Sequence, residues 1–274
     1  MLDYKSDLEN TYSIIDYTYV DNYDKLYFSS NEDLKGIFHE MDFTGKKVLT
    51  VLASGDQAFH FYHHNATNID LFDKNKLTLY YYYLRIWQIE NNNKYSLPDD
   101  TSNIYIERLL KRVKPKTEEE YNAYNYWKNY IKKYRFDKYS IRKLEVEKPG
   151  RKNSIDYLDK IKKNTNLRNI NFYNIDIARD DLSLNKKYDV IYVSNIADWL
   201  FHSQCLHRNF TNNLYNLVEE DGFIICADPG RTGEPGIVEA EEMMKKFVLF
   251  DLPGLKSNEY GLVSKPGYCY RKKK

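Results

Sequence analysis

Lys47-Val-Leu-Thr-Val-Leu-Ala-Ser-Gly-Asp56 decides how this chain is read. Val48-Leu49-Thr50-Val51-Leu52 is a short apolar, β-branched run between Gly45 and Gly55. Such a run predicts a strand buried on both faces, as in a parallel sheet. The loop Ala53-Ser54-Gly55-Asp56, with a small residue and a glycine, then opens a helix. There the backbone can approach a ligand closely, and the helix presents free amide groups.

Outward from this stretch, strands and helices alternate. Before it, Leu34, Ile37 and Phe38 share one helical face, with Ser30 or Asn31 as cap. After it come a strand at Asn68–Phe72 ending on Asp73 and a helix at Lys76–Glu90. Residues 95–150 carry no strand pattern and predict helices at Ile104–Val113 and from about 118, with Tyr121, Tyr124, Trp127 and Tyr134 at helical spacing. Thr117-Glu118-Glu119-Glu120 has capping-box spacing. Then follow a helix at Ile155–Lys163, strands at Ile170–Asp176 and Tyr188–Asn195, a helix at Phe210–Val218, a strand at Gly222–Ala227 and a helix at Glu239–Lys246. The chain closes with strands at Phe247–Phe250 and within Tyr260–Arg271. This order predicts an α/β fold, a doubly wound, mostly parallel seven-stranded sheet with a helical insertion between the second and third strands. The last two strands lack a helical crossover, which predicts an antiparallel pair at one edge. That arrangement is the Rossmann-like architecture of S-adenosylmethionine-dependent methyltransferases. The expected organisation is one ligand-binding domain over 1–274, with an N-terminal cap at 1–45 and the insertion at 95–150 covering the pocket.

Ligands of open α/β sheets lie beyond the carboxyl ends of the strands. Five such ends carry polar residues here. Ala53, Ser54 and Gly55 follow the first strand, and Asp73 ends the second, 18 residues after Gly55. A carboxylate at that place can accept both hydroxyls of a ribose, and it can equally cap the following helix. Asp176, with Ile177 beside it, stands where an acid can accept from an adenine amino group. Ser194 and Asn195 follow the next strand and lead into Asp198 and Trp199, where the reacting end of a ligand would sit. Asp228-Pro229-Gly230-Arg231 forms the rim.

Two quoted stretches resemble a family. Val48-Leu-Thr-Val-Leu-Ala-Ser-Gly-Asp-Gln-Ala-Phe59 with Asn68-Ile-Asp-Leu-Phe-Asp-Lys-Asn75, and Asp189-Val-Ile-Tyr-Val-Ser-Asn-Ile-Ala-Asp-Trp-Leu200, are similar to the 3-amino-3-carboxypropyl transferases of betaine-lipid synthesis. Asp56 departs from the small residue usual in that family. The resemblance implies S-adenosylmethionine as cofactor, held by Ser54, Gly55, Asp73 and Asp176, with Asp198 and Trp199 at the reacting centre. Asp198 would be a general base and Trp199 a stacking ring, or a core ring. The transferred group is then 3-amino-3-carboxypropyl or methyl, because any of the three sulfonium carbons can be attacked and orientation selects among them. A non-catalytic module of the same fold stays open.

Composition narrows the partners. With 41 basic and 40 acidic residues, the chain has no overall field for nucleic acid. A small-molecule or lipid acceptor is expected, no nucleic acid, and peripheral membrane contact at most, because no stretch is long and apolar enough to span a bilayer. Three cysteines without paired spacing and no apolar leader suggest a cytoplasmic protein. His60, His63 and His64, or His202, Cys205 and His207, lack the spacing of a metal site. A nicotinamide cofactor would need a three-glycine fingerprint, where Gln57, Ala58 and Phe59 stand instead.

Overall fold

The computed structural model describes residues 2–9, 34–38, 41–91, 103–133, 160–163, 165–182, 184–200, 203–227, 237–250 and 267–273. In chain order its elements are α1 (Tyr4–Glu9), α2 (Leu34–Ile37), β1 (Lys47–Val51), α3 (Asp56–His63), β2 (Asn68–Asp73), α4 (Leu77–Asn91), α5 (Asn103–Leu110) and α6 (Glu118–Lys133). They continue with β3 (Asn171–Asn174), β4 (Tyr188–Tyr192), α7 (Gln204–Leu217), β5 (Val218–Ala227), α8 (Ile237–Met243), β6 (Phe247–Phe250) and β7 (Gly267–Lys272). The chain divides into two compact units, one of residues 1–29 and 75–167, the other of 30–74 and 168–274.

The second unit holds the sheet. Its strand order is β3-β2-β1-β4-β5-β7-β6. The first five strands run parallel, and β7 is antiparallel to both β5 and β6. This is the doubly wound, methyltransferase-type sheet with an antiparallel last pair that the alternation predicts. Val48, Leu49, Val51, Val190, Ile191, Ile224 and Ile225 are buried, which is why the central strands read as continuous apolar runs. Phe38, at the end of α2, packs edge-on against Phe61 and lies near Phe43 and Tyr192. The caps proposed for α2, Ser30 and Asn31, lie outside the described residues, as does most of the helix expected at Ile155–Lys163.

Two boundaries are corrected. α7 begins at Gln204, six residues before the expected Phe210, because Ser203 caps it: Leu206 N donates to Ser203 Oγ at 3.5 Å. β5 begins at Val218, which was expected to end the helix. The acidic run Glu219-Glu220-Asp221 hides that part of the strand from an apolar pattern. The β4–β5 register also shifts between Tyr188 and Val190. Gly222 lies in this irregularity, where a Cβ would come within 2.9 Å of Tyr188 O and 2.8 Å of Val218 Cγ2. A bulge with close backbone approach needs glycine there.

A polar cluster is buried around Asp70 in this sheet. Asp70, on β2 and 1 % exposed, accepts from Lys186 Nζ at 2.6 Å, Tyr188 OH at 2.7 Å, Asn171 Nδ2 at 3.0 Å and Tyr173 OH at 3.3 Å. Burial alone would raise its pKa, but the hydrogen bonds from Lys186, Asn171 and Tyr188 outweigh that and hold the carboxyl below its usual value. Burial and the Asp70 carboxylate push the Tyr188 phenol far upward, so it stays a donor.

The elements among the described residues of the first unit are helical. All residues of α4 from Thr78 to Ile89 are buried, so the Tyr80–Tyr83 run is core. Tyr80 stacks on Tyr126 at 4.1 Å, its hydroxyl donates to Asp7, and Trp127 Nε1 donates to its carbonyl at 2.8 Å. The buried face of α6 is Glu120, Ala123, Tyr126, Trp127 and Tyr130. The stripe expected through Tyr121 and Tyr124 is therefore displaced; Tyr121 is 55 % exposed, and Tyr134 lies outside the described residues. Thr117 Oγ1 accepts from Glu120 N at 3.2 Å, as a capping box requires, but Glu120 Oε2 reaches Lys116 N rather than Thr117 N. No helix among the described residues is long and apolar enough to cross a membrane.

Candidate ligand site at the carboxyl ends of the strands

Strand order reverses direction between β1 and β4, so their carboxyl ends flank the topological switch point. Three residues in the left-handed region lie at these two ends: Ala53 at φ 43° and Gly55 at φ 85° after β1, and Ser194 at φ 56° after β4. Left-handed backbone at a non-glycine residue is uncommon and persists where surrounding bonds impose it. The bonds are present. Ala53 N donates to Asp73 Oδ2 at 2.9 Å, and Gly55 N donates to Leu52 O at 2.6 Å. Ser194 O accepts from Ala227 N at 2.9 Å, while Val193 N reaches Ile225 O at 3.0 Å.

The loop then turns directly into α3. Phe59 N donates to Gly55 O at 3.1 Å, and Ser54 Oγ, buried, donates to Asp56 Oδ2 at 2.9 Å. Gly55 is the N-cap residue of α3 and caps it with backbone alone. An alanine at 55 would carry a Cβ into a left-handed conformation that costs about 1–2 kcal/mol. Gly55→Ala is accordingly expected to lower the melting temperature by roughly 3–6 °C in a thermal melt.

Asp73 is 8 % exposed and joins the two strand ends β1 and β2 through Ala53. The helix-cap alternative for this residue falls instead to Asn75, whose Oδ1 accepts from Leu77 N at 2.9 Å. Asn174, at the end of β3, donates from Nδ2 to Asp73 O at 3.0 Å and Lys74 O at 2.9 Å, fixing the chain as it leaves the strand.

Asp176 and Ile177 lie two strands from β1, at the same end of the sheet. Asp176 organises its own turn: Oδ1 accepts from Ala178 N at 3.0 Å, Oδ2 is 3.6 Å from Arg179 Nε, and its N–H donates to Asp180 Oδ2 at 2.7 Å. Ile177 is buried, and its carbonyl accepts from Asn213 Nδ2 at 2.9 Å. Asn213, on α7, also donates to Asp180 O at 2.8 Å and accepts from Leu182 N at 3.4 Å. Sequence reasoning missed this residue. Its signal is a lone amide on the face that buries Phe210, Leu214 and Leu217.

Ser194 is 7 % exposed, with Oγ 3.3 Å from Asn195 Oδ1. A single 3-10 turn, Ile196–Leu200, follows and carries Asp198 and Trp199, whose side chains lie outside the described residues. His202 and Asp228–Arg231 also lie outside them. On α3, His60 stacks against Phe38 at 5.7 Å. Burial holds its pKa at about 3 against the pull of Asp56, and His64 and His63 add to the depression. The imidazole is therefore neutral at physiological pH. Among the described residues no group of three or more His, Cys, Asp or Glu side chains is placed to hold a metal ion, and no cysteine forms a disulfide.

No family model matches the chain, and no curated protein matches it. Its fold is similar to solved structures. One is the N-methyltransferase NodS of Bradyrhizobium japonicum in complex with S-adenosylhomocysteine, at 10 % identity and a TM-score of 0.42 over 99 % of this chain and 98 % of that one. Another is a TehB-like SAM-dependent methyltransferase of Corynebacterium glutamicum, at 11 % identity and 0.42 over 88 % of this chain and 86 % of that one. A third is the CcbJ methyltransferase of Streptomyces caelestis, at 10 % identity and 0.34 over 78 % of this chain and 55 % of that one. Identities of this size say nothing about ligand or substrate. Scores below 0.5 leave the fold to rest on the strand order itself.

Proposed function

We propose that this chain is a transferase that binds S-adenosylmethionine at the carboxyl ends of β1, β2 and β4 and transfers its methyl group to a small-molecule or lipid acceptor. The observation that carries the reading is the pair of left-handed bends at Ala53–Gly55 and Ser194, on the two strands flanking the switch point, with the Asp73 carboxylate bonded to the first of them.

The residues fit such a ligand. An ionised carboxylate has about four lone-pair sites, so the bond from Ala53 is compatible with Asp73 also accepting ribose hydroxyls. Gly55 brings backbone close to the ligand without a side chain, and Ser54 steadies the turn through Asp56. Ser194 and Asn195 line the neighbouring strand end. Ile177 offers an apolar edge and Asp176 an acceptor for the adenine, one of its oxygens already engaged by Ala178. Bound S-adenosylmethionine supplies a carbon activated by the sulfonium. Asp198 is assigned the acceptor's proton, and Trp199 a wall of the reacting centre, on the turn that begins two residues after Ser194.

Methyl is assigned over 3-amino-3-carboxypropyl because it is the least hindered of the three carbons and no described residue singles out another. The resemblance to 3-amino-3-carboxypropyl transferases meets no matching family model and rests on the residues quoted for it. By-product analysis after incubation with S-adenosylmethionine and candidate acceptors decides between them. S-adenosylhomocysteine is expected. Methylthioadenosine would replace methyl transfer with aminocarboxypropyl transfer, and neither product with any acceptor would favour a non-catalytic binding module.

A further inference from the structure

The turn that follows β3 is tied at both ends, by different means. At its start, Ile175 N donates to Asp73 O at 3.2 Å and Asn174 Nδ2 donates to the same oxygen, so the turn leaves the sheet beside the carboxylate assigned to the ribose. Within it, Asp176 O accepts from Arg179 N at 3.0 Å and Asp180 N at 2.9 Å. At its far end the tie is a side chain. Asn213 Nδ2 donates to Ile177 O at 2.9 Å and Asp180 O at 2.8 Å, and its Oδ1 accepts from Leu182 N at 3.4 Å. One carboxamide, with two donors and an acceptor, thus serves three backbone groups spread from Ile177 to Leu182.

Neither the helix nor the packing of the turn calls for this amide. Asn213 is 5 % exposed, on the face of α7 that buries Phe210, Leu214 and Leu217. An apolar residue would suit that face, and asparagine is a poorer helix former than leucine. The turn is already anchored by apolar side chains, because Ile177, Ala178 and Leu182 are buried. What the amide adds is a fixed backbone path from Ile177 to Asp180, directly after Asp176. Asp180 Oδ2 in turn accepts from Asp176 N at 2.7 Å, so the tie reaches the acid itself. α7 is a firm support for it: Ser203 caps the helix, and Ser203 N donates to Leu200 O at 2.9 Å. Polar groups held on such an element are placed more precisely than those on a loop alone.

We propose that Asn213 is a positioning residue that sets the Asp176 carboxylate to select adenine over a base with a carbonyl oxygen in place of the amino group. The inference rests on the transferase reading above, in which Asp176 accepts from that amino group. A carboxylate accepts hydrogen bonds and donates none, so it draws an amino group and repels a carbonyl oxygen. The preference depends on where the carboxylate oxygens lie, and a displacement of about 1 Å is enough to forfeit it. Asn213 acts through the turn, since its donors and its acceptor are committed to backbone groups.

Titration of the full chain with S-adenosylhomocysteine and with S-inosylhomocysteine, which carries the carbonyl oxygen, tests it. The original chain is expected to prefer the adenosyl compound about 10- to 100-fold. Asn213→Leu should reduce that preference to within about 3-fold, mainly by weakening the adenosyl compound, at a temperature where circular dichroism shows both chains folded. Asn213→Ser, smaller and with one donor, should give an intermediate preference and serves if leucine disturbs the packing. Asp176→Ala should abolish the preference. Adding Asn213→Ser to it should then change adenosyl affinity by no more than about 2-fold, because the two residues act through one contact. An unchanged preference in the folded Asn213 variants, or a further fall in affinity in the double variant, would overturn the positioning role and leave the ligand reading intact. Equal binding of the two compounds by the original chain would overturn it together with the role of Asp176. Binding of neither compound by the original chain would overturn the transferase reading, and this inference with it.

Discussion

Asp73→Ala is expected to weaken S-adenosylmethionine binding about 100- to 1000-fold in a calorimetric titration. The size follows from what the carboxylate is proposed to do. A hydrogen bond to a charged acceptor is worth about 1.5–3 kcal/mol, and two ribose hydroxyls give about 3–4 kcal/mol after imperfect geometry. The substitution also removes the acceptor for Ala53 N, which helps to hold that residue at φ 43°. Asp73→Asn separates the two contributions. Its amide oxygen can keep the Ala53 bond while charge is lost, so the melting temperature should stay near that of the unaltered chain and affinity should fall about 10-fold. Equal affinity for the original chain and Asp73→Ala would remove Asp73 from the site and leave it a purely structural tie between β1 and β2.

Asp70→Ala is the largest expected loss of stability. It removes the Asp70 acceptor from the hydroxyl of Tyr188, a fully buried residue, and leaves Lys186 without its carboxylate. Removing one member of a buried ion pair costs about 3–5 kcal/mol; the Lys186 side chain is 33 % exposed, which places the expectation near the lower figure. A thermal melt should fall by roughly 6–12 °C. The same residue gives a pH dependence. Its folded pKa is depressed, so its contribution is complete above the unfolded carboxylate value of about 3.9 and is lost as pH falls through the lower folded value. Acid denaturation of Asp70→Asn should lack that part of the transition. An Asp70→Ala chain as stable as the original would mean that the cluster contributes nothing net.

These two carboxylates stand three residues apart on one strand, and only one was legible. Asp73 announces itself by position, at the end of an apolar run and at a fixed distance from Gly55. Asp70 sits inside the run, where its partners Asn171, Tyr173, Lys186 and Tyr188 come from distant sequence. The mostly parallel sheet and the antiparallel pairing of the last two strands were legible because buried parallel strands are apolar throughout and helical crossovers need length, whereas the insertion of β7 between β5 and β6 was not. The start of β5 was not, since Glu219-Glu220-Asp221 conceals a strand whose end is exposed. Nor was the start of α7, where polar residues precede the apolar face.

The candidate site divides the same way. Gly55 carries a direct signal, because glycine tolerates a left-handed bend. Ala53 and Ser194 carry none, since their bends are imposed by bonds to Asp73 and Ala227. Asp176 was read as an acceptor from sequence position alone, whereas its carboxylate is partly committed to its own turn. The tether from Asn213 is a tertiary contact between a helix and a loop about 30 residues earlier, which no local pattern records.

The most direct measurement is calorimetric titration of the full chain with S-adenosylmethionine and, separately, with NAD. One-to-one binding of S-adenosylmethionine at micromolar concentration, abolished or strongly weakened by Asp73→Ala, is the expected result. Tighter binding of NAD, or no heat from S-adenosylmethionine at millimolar concentration, would contradict the assignment of the Ala53–Gly55 loop to this ligand.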